Sequence, residues 1–209
     1  METRQIPTRA PDPRPARTRA AIHRAVESLV DAGSPVTVNA ILQAAGVSRS
    51  AFYAQFADID ELALSLLVEQ FHAIGVDDIA RRKGDSPDEQ QIARQAATRL
   101  VEHIDRRRAF YRSSLEWRVS ARVHETLAAA FADQVSASME VMGERVPPEH
   151  RDGHTARYIG GGAMALITAW LRDDEPIPPA DMAARLLGAM PEWLVGRAGS
   201  PPDTSHLRT

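Results

Sequence analysis

An all-α fold of about nine helices is predicted for this 209-residue chain. Apolar residues recur at three- and four-residue spacing in successive segments, the period of a helix with one buried face. No stretch sustains the alternation with β-branched residues that a half-buried strand requires. Glycine and proline stops punctuate the periodic segments.

Residues 1–16 hold Pro7, Pro11, Pro13 and Pro15 and little apolar material, the composition of a disordered Arg/Pro-rich arm. The first helix is expected from Arg17 to Ala32, with Ile22, Val26, Leu29 and Val30 as its apolar stripe and Gly33 as its stop. Ser34-Pro35 makes a turn. Two short helices follow, Val38–Ala45 and Arg49–Gln55, joined by Gly46-Val47-Ser48. A fourth begins near Ile59 and carries Leu62, Leu66, Leu67 and Phe71. The chain turns after Arg82-Lys83-Gly84. Ser86-Pro87-Asp88-Glu89 then reads as a capping serine, proline at the first helical position and acids at the positive end of the dipole. That helix should reach Arg106. Further helices are expected over Phe110–Val119, Ser120–Met142, Arg151–Leu171 and Pro179–Leu194. Together these define an arm (1–16), a small helical domain (17–62), a larger one (63–195) and a disordered tail (196–209).

Composition narrows the classes. The chain is 44% hydrophobic and 25% charged, so it has material for a core. It has no cysteine, which excludes disulfides, cysteine nucleophiles and thiolate metal sites. No run of about 18 apolar residues suggests a membrane span, and no apolar stretch behind the first arginines suggests a secretory signal. A cytoplasmic protein is expected. A single lysine among 25 basic residues points to a GC-rich bacterial genome through codon usage. The net charge of −3 is unevenly divided: residues 1–56 carry seven arginines against four acids, and the remainder 18 basic residues against 24 acidic ones. A basic end on an acidic body would orient the molecule towards a polyanion.

The most informative stretch is Thr37 to Phe56. Ile41 and Ala45 share one face of the first short helix, and Ala45 is small enough for a second helix to cross closely. Gly46 can end a helix in one left-handed residue, Val47 fills the corner and Ser48 caps the next helix. Phe52 and Phe56, four residues apart, would anchor the second helix. Arg49, Ser50, Tyr53 and, at the edge, Gln55 then face outward. Such a helix suits the major groove, where arginine bonds guanine and glutamine bonds adenine in bidentate fashion.

The spacing of Thr37, Ile41, Ala45-Gly46-Val47-Ser48, Phe52-Tyr53, Phe56 and Glu61-Leu62 resembles the N-terminal signature of the TetR family, and Arg17–Gly33 is similar to that family's first helix. The resemblance is specific over Arg17–Phe71 and architectural beyond. It implies a homodimer of two-domain helical subunits, usually a repressor released from DNA by a small ligand. It also implies phosphate-contacting roles for Thr37, Ser48 and Tyr53, and groove-facing roles for Asn39, Arg49, Ser50, Ala51 and Gln55. Two positions depart from the pattern. Ile59 stands where the family usually has lysine, removing one phosphate contact, and Leu42 stands where alanine is typical.

Outside this motif the readings branch. Arg4, Arg9, Arg14, Arg17 and Arg19 are either solvated charge or an arm that follows the DNA backbone or enters a minor groove. Gly160-Gly161-Gly162 interrupts the apolar run Ile159–Trp170. Each glycine costs about 1 kcal/mol against alanine in a helix, so close approach of another helix, of this subunit or a second, is expected to compensate. A dimer interface of Ile159, Gly160, Gly161, Gly162, Ala163, Leu166, Leu186 and Met190 follows, with room for a ligand as the competing reading. His103, Phe110, Tyr111, Trp117, Phe131, Met139 and Trp170 are either core or the lining of a ligand pocket. Among these, His103 reads more readily as a satisfied core histidine. His150 and His154 flank Asp152 and Gly153 without a third ligand, so no metal is expected.

No nucleophile elbow, phosphate loop or dinucleotide fingerprint is present, so neither an enzyme nor a cofactor is expected. The sequence reads as a regulator of double-stranded DNA with an unidentified small-molecule ligand. An architectural DNA-binding protein without a ligand is the alternative.

Overall fold

The computed structural model describes residues 14–84, 87–115 and 121–196, and not the side chains of 113–115 and 121–123. Its described residues contain ten α-helices, two 3-10 turns and no strand. The chain divides into two compact units, Met1–Leu62 and Ala63–Thr209.

The first unit contains α1 (Arg14–Asp31), α2 (Val38–Ala45), α3 (Arg49–Tyr53) and the start of α4 (Ile59–Arg82). Helix α1 begins three residues earlier than expected, so residues 14–16 are helical rather than part of an arm. Its stripe of Ile22, Ala25 and Val26 is buried together with Ile41, Phe52, Phe56 and Leu62. Apolar burial on this scale, about 25 cal/mol per Å², is what holds helices too short to persist alone. Helix α3 ends at Tyr53, two residues before the expected Gln55, yet the amide of Phe56 still donates to Phe52 O at 3.0 Å. Phe56 is therefore placed by a turn rather than by a continuation of α3. Asp58 accepts from the amide of Glu61 at 2.8 Å, while Glu61 reaches back to the amide of Ala57 at 2.5 Å, a reciprocal cap that starts α4.

The second unit contains the rest of α4, then α5 (Glu89–Arg106), α6 (Arg108–Leu115), α7 (Ala121–Met142), α8 (His154–Arg172), α9 (Pro179–Gly188) and α10 (Glu192–Val195). Helix α5 is capped by Asp88, whose carboxylate accepts from the amide of Gln91 at 2.9 Å. The cap is thus Asp88 and not Ser86, which lies outside the described residues. The expected Pro179–Leu194 helix is two helices, because Pro191 has no amide to donate and disfavours helical backbone at Met190. Helix α8 starts at His154 rather than Arg151, after Gly153 in the left-handed region.

The principal packing pairs are α7 with α8 and α5 with α9. Gly160 makes the first possible: a Cβ there would lie 2.4 Å from Ala128 O and 3.1 Å from Ala132 Cβ. No described helix is long and apolar enough to cross a membrane.

Candidate nucleic-acid interface

Three local devices set the relation of α2 to α3. Thr37 caps α2, its hydroxyl accepting from the amide of Ala40 at 3.2 Å. Gly46 ends it at φ 64°, where a side chain would be strained, and the amide of Val47 turns back to Leu42 O at 3.2 Å. Ser48 caps α3 by accepting from the amide of Ala51 at 3.1 Å. The corner is therefore stiff from backbone and caps alone.

Burial then decides which side of α3 faces water. Ile41 and Phe52 are 0% exposed and Phe56 1%, with the two phenyl rings 5.8 Å apart. His23 of α1 stacks on Phe56 at 5.7 Å, and the Arg19 guanidinium lies 4.6 Å over the same ring. Arg19 thus packs on the core of this unit, a fixed position rather than part of a loose arm. Arg14 and Arg17 are exposed on α1, while Arg4 and Arg9 lie outside the described residues. Val47 and Leu42 are half-buried at the corner, and Ile59 is half-buried at the start of α4.

The opposite side carries Thr37, Asn39, Ser48, Arg49, Ser50 and Tyr53 as exposed residues, with Ala51 and Gln55 half-buried. Tyr53 is 47% exposed and meets Phe52 edge-on at 5.3 Å, which steadies its ring while the hydroxyl faces out. Ser48 and Ser50 share a hydroxyl hydrogen bond at 3.0 Å. Arg49 Nη2 donates to Asn39 Oδ1 at 2.6 Å, joining the two helices on their outer side. That bond uses one of five guanidinium donors and leaves the planar fork able to meet an acceptor pair. Hydroxyls, an arginine and a phenol on one exposed face are groups that bond phosphate oxygens and base edges.

In the second unit, a partly open cavity of about 120 Å³ lies among α4, α5, α7, α9 and α10. Of the residues expected to line a pocket, Phe131 does, its ring T-shaped against Phe71 at 5.6 Å. The others lie elsewhere. His103, half-buried, pairs with buried Tyr111, whose ring lies tilted beside that of buried Phe110. Trp170 is buried under the Arg108 guanidinium at 3.9 Å and donates from Nε1 to Ile177 O at 2.9 Å. Met139 packs with Val146, Ala156 and Ile159 in a cluster that shares Val135 and Leu194 with the cavity wall, and it lines a second, open pocket beside Glu140, Gly143 and Arg151. His103, Phe110, Tyr111, Met139 and Trp170 do not line the first cavity. Trp117 lies outside the described residues.

The expected dimer residues also separate. Leu186 and Met190 line the cavity described above. Ile159, Gly160 and Ala163 are buried within it, Gly160 directly against α7. Leu166 and Gly161 are half-buried and Gly162 is exposed, and a Cβ at either glycine would meet nothing within 4 Å. Tyr158, 80% exposed, stands on the same side of α8 as Gly162, Ala165 and Ala169. His150 stacks on Trp193 at 5.5 Å and bonds Thr155 Oγ1 through Nδ1 at 3.1 Å. No group of three metal-ligating side chains occurs among the described residues.

Sequence reasoning missed the polar end of the cavity: Asp78, Arg82, Gln134 and Ser138. A signal for half of it was present. Phe71, Ile74, Asp78 and Arg82 continue one helical stripe, so two charges extend an apolar face and require burial with partners.

Two family models match the chain. The one described as bacterial regulatory proteins, tetR family, covers residues 21–66, which include α2, α3 and the turn between them. The one described as transcriptional regulator C-terminal region covers residues 93–191. A comparison with curated proteins finds no match.

Proposed function

Since this chain belongs to the TetR family and is a DNA-binding transcriptional regulator, we propose that it acts as a homodimeric repressor, released from a pseudo-palindromic operator by a small molecule. One observation carries the DNA-reading part. Buried Phe52 and Phe56 hold α3 with Arg49, Ser50 and Tyr53 on its outer side. In this reading α3 enters the major groove, with Asn39, Arg49, Ser50, Ala51 and Gln55 towards bases and Thr37, Ser48 and Tyr53 towards phosphates.

The dimer reading is supported by Gly161 and Gly162. Each forgoes the helix propensity of alanine, about 1 kcal/mol, with no neighbour in its own subunit to explain it. The approach of a partner's helix would explain both. Two-fold symmetry would then set half-sites about 34–36 Å apart, or more widely, along one side of the duplex.

Release is a population shift in which the ligand favours a conformation with misplaced recognition helices. Helix α4 supports this role, since it starts beside the anchor Phe56 and its later residues Phe71, Ile74, Asp78 and Arg82 line the cavity. The protein works in the bacterial cytoplasm.

The test is a fluorescence-anisotropy titration of the full chain on duplexes recovered from a genome-wide footprint. A few palindromic sites and steep salt dependence are expected. Diffuse genomic coverage would favour an architectural protein instead, and no salt-sensitive affinity for any duplex would end the reading.

A further inference from the structure

Gln134 lines this cavity, and its Nε2 is buried with no hydrogen-bond partner. Buried amides in folded proteins are nearly always paired, so an orphan at a cavity wall marks where a partner belongs. Its position is fixed by Gly75, where a Cβ would fall 1.6 Å from Gln134 Cδ. The amide therefore lies in space that only glycine on α4 leaves open.

The other polar groups at this end satisfy one another. Arg82 is 4% exposed, and all five of its donors have partners. Nε bonds Asp78 Oδ2 at 2.8 Å, and Nη2 bonds Asp78 Oδ1 at 3.4 Å and Leu194 O at 3.5 Å. Nη1 bonds Glu89 and, at 3.4 Å, Met142 Sδ. Ser138 donates to Asp78 Oδ2 at 2.7 Å. Neither the guanidinium nor the carboxylate is left to meet a charged ligand. Most of the remaining wall is apolar, including Phe71, Ile74, Leu100, Phe131 and Val135.

We infer that this cavity takes a compact, neutral, mainly apolar molecule with one hydrogen-bond acceptor, a carbonyl or ether oxygen, that meets Gln134 Nε2. The inference rests on the reading of the chain as a ligand-released regulator and names the ligand class of that site. The cavity is partly open, and its enclosed space of about 120 Å³ is near the volume, on the order of 150 Å³, at which an apolar cavity holds a benzene ring. Charge limits the molecule, because an ion among these side chains would lose its hydration without gaining a counter-ion.

Three probes separate these demands: acetophenone, ethylbenzene and benzoate, titrated by calorimetry into the full-length protein. Acetophenone should bind at least tenfold more tightly than benzoate. Gln134→Met, close in volume, should weaken acetophenone about three- to tenfold, the effect of one lost hydrogen bond, and leave ethylbenzene within twofold. Ala97→Leu, which narrows the cavity, should weaken acetophenone and ethylbenzene together, and it keeps the test open should Gln134→Met not fold. Benzoate binding as tightly as acetophenone, equal effects of Gln134→Met on both neutral probes, or no binding by any probe would overturn the inference. Release of DNA by a charged or much larger molecule, with none of the neutral probes bound, would also overturn it and leave the regulator reading standing. Loss of that reading would show separately, as absence of duplex binding by the unliganded protein.

Discussion

Arg49 Nη2 and Asn39 Oδ1 lie 2.6 Å apart, so the arginine of α3 is held by the preceding helix across the Gly46 turn. A long side chain confined this way loses less rotamer freedom when it binds, and its guanidinium reaches a base with a fixed tilt. Arg49→Ala should relax specificity at one base position, at a cost of about 1–3 kcal/mol on the operator. Asn39→Ala should do part of the same by freeing the arginine. The two changes should be non-additive in a double-mutant cycle measured by anisotropy. An intact base preference in Arg49→Ala would mean that α3 does not read the groove.

Tyr53 should behave differently. Its ring is set edge-on against buried Phe52, so replacing it by phenylalanine removes the hydroxyl and leaves the packing. A phosphate contact carries no sequence information. Tyr53→Phe should therefore weaken operator and random duplex alike, each by about three- to tenfold, as one lost hydrogen bond implies. A selective loss on the operator in parallel titrations would place Tyr53 against a base.

The recognition motif was legible in the sequence because its determinants are local. Thr37, Gly46 and Ser48 act through backbone groups within five residues, and Phe52 and Phe56 declare one face by their spacing. The Asn39–Arg49 bond was not legible, since spacing showed two outward residues and not their mutual reach. In the second unit the determinants are distant in sequence. Asp78 finds Ser138 and Arg82 finds Leu194, pairings that helix periodicity does not encode. Leu186 and Met190 show the same limit: their apolar spacing marks a buried face, but whether it meets a cavity or a second subunit is a tertiary fact. Local chemistry likewise favoured Ser86 as a cap, where Asp88 has the accepting geometry.

The three consecutive glycines of α8 should respond in opposite ways. Gly160→Ala places a methyl 2.4 Å from Ala128 O, so it must spread α7 from α8. It should destabilise the protein by about 1–3 kcal/mol in urea unfolding. A methyl at Gly162 meets nothing in its own subunit. Gly162→Leu should therefore leave the helical content seen by circular dichroism unchanged and shift the proposed dimer towards monomer in light scattering after gel filtration. A fully dimeric Gly162→Leu protein would remove this face of α8 from the interface.

Mild acid should destabilise the folded chain through His103. His103 bonds Tyr111 Oη through Nε2 at 2.8 Å, and its Nδ1 lies 3.1 Å from Arg107 Nη1. A guanidinium only donates, so Nδ1 accepts, Nε2 carries the proton and the ring is neutral. Burial, then the charges of Arg107 and Arg106, lowers its pKa from 6.5 to about 3. The unfolded chain thus takes up a proton below pH 6.5 that the folded chain refuses until about pH 3. Stability from this group is complete above pH 6.5 and falls as pH drops through that window, by up to about 1.4 kcal/mol per unit. Asp77, whose pKa is lowered from 3.8 chiefly by its hydrogen bond from Arg99, contributes in the same direction only further down. Between pH 4 and 6.5 the part of the slope that is lost with this imidazole isolates the histidine. Urea unfolding at a series of pH values should show it in the natural chain and not in His103→Gln, which retains an amide able to face both neighbours. Equal slopes in the two proteins would mean that the ring is not held neutral by this contact.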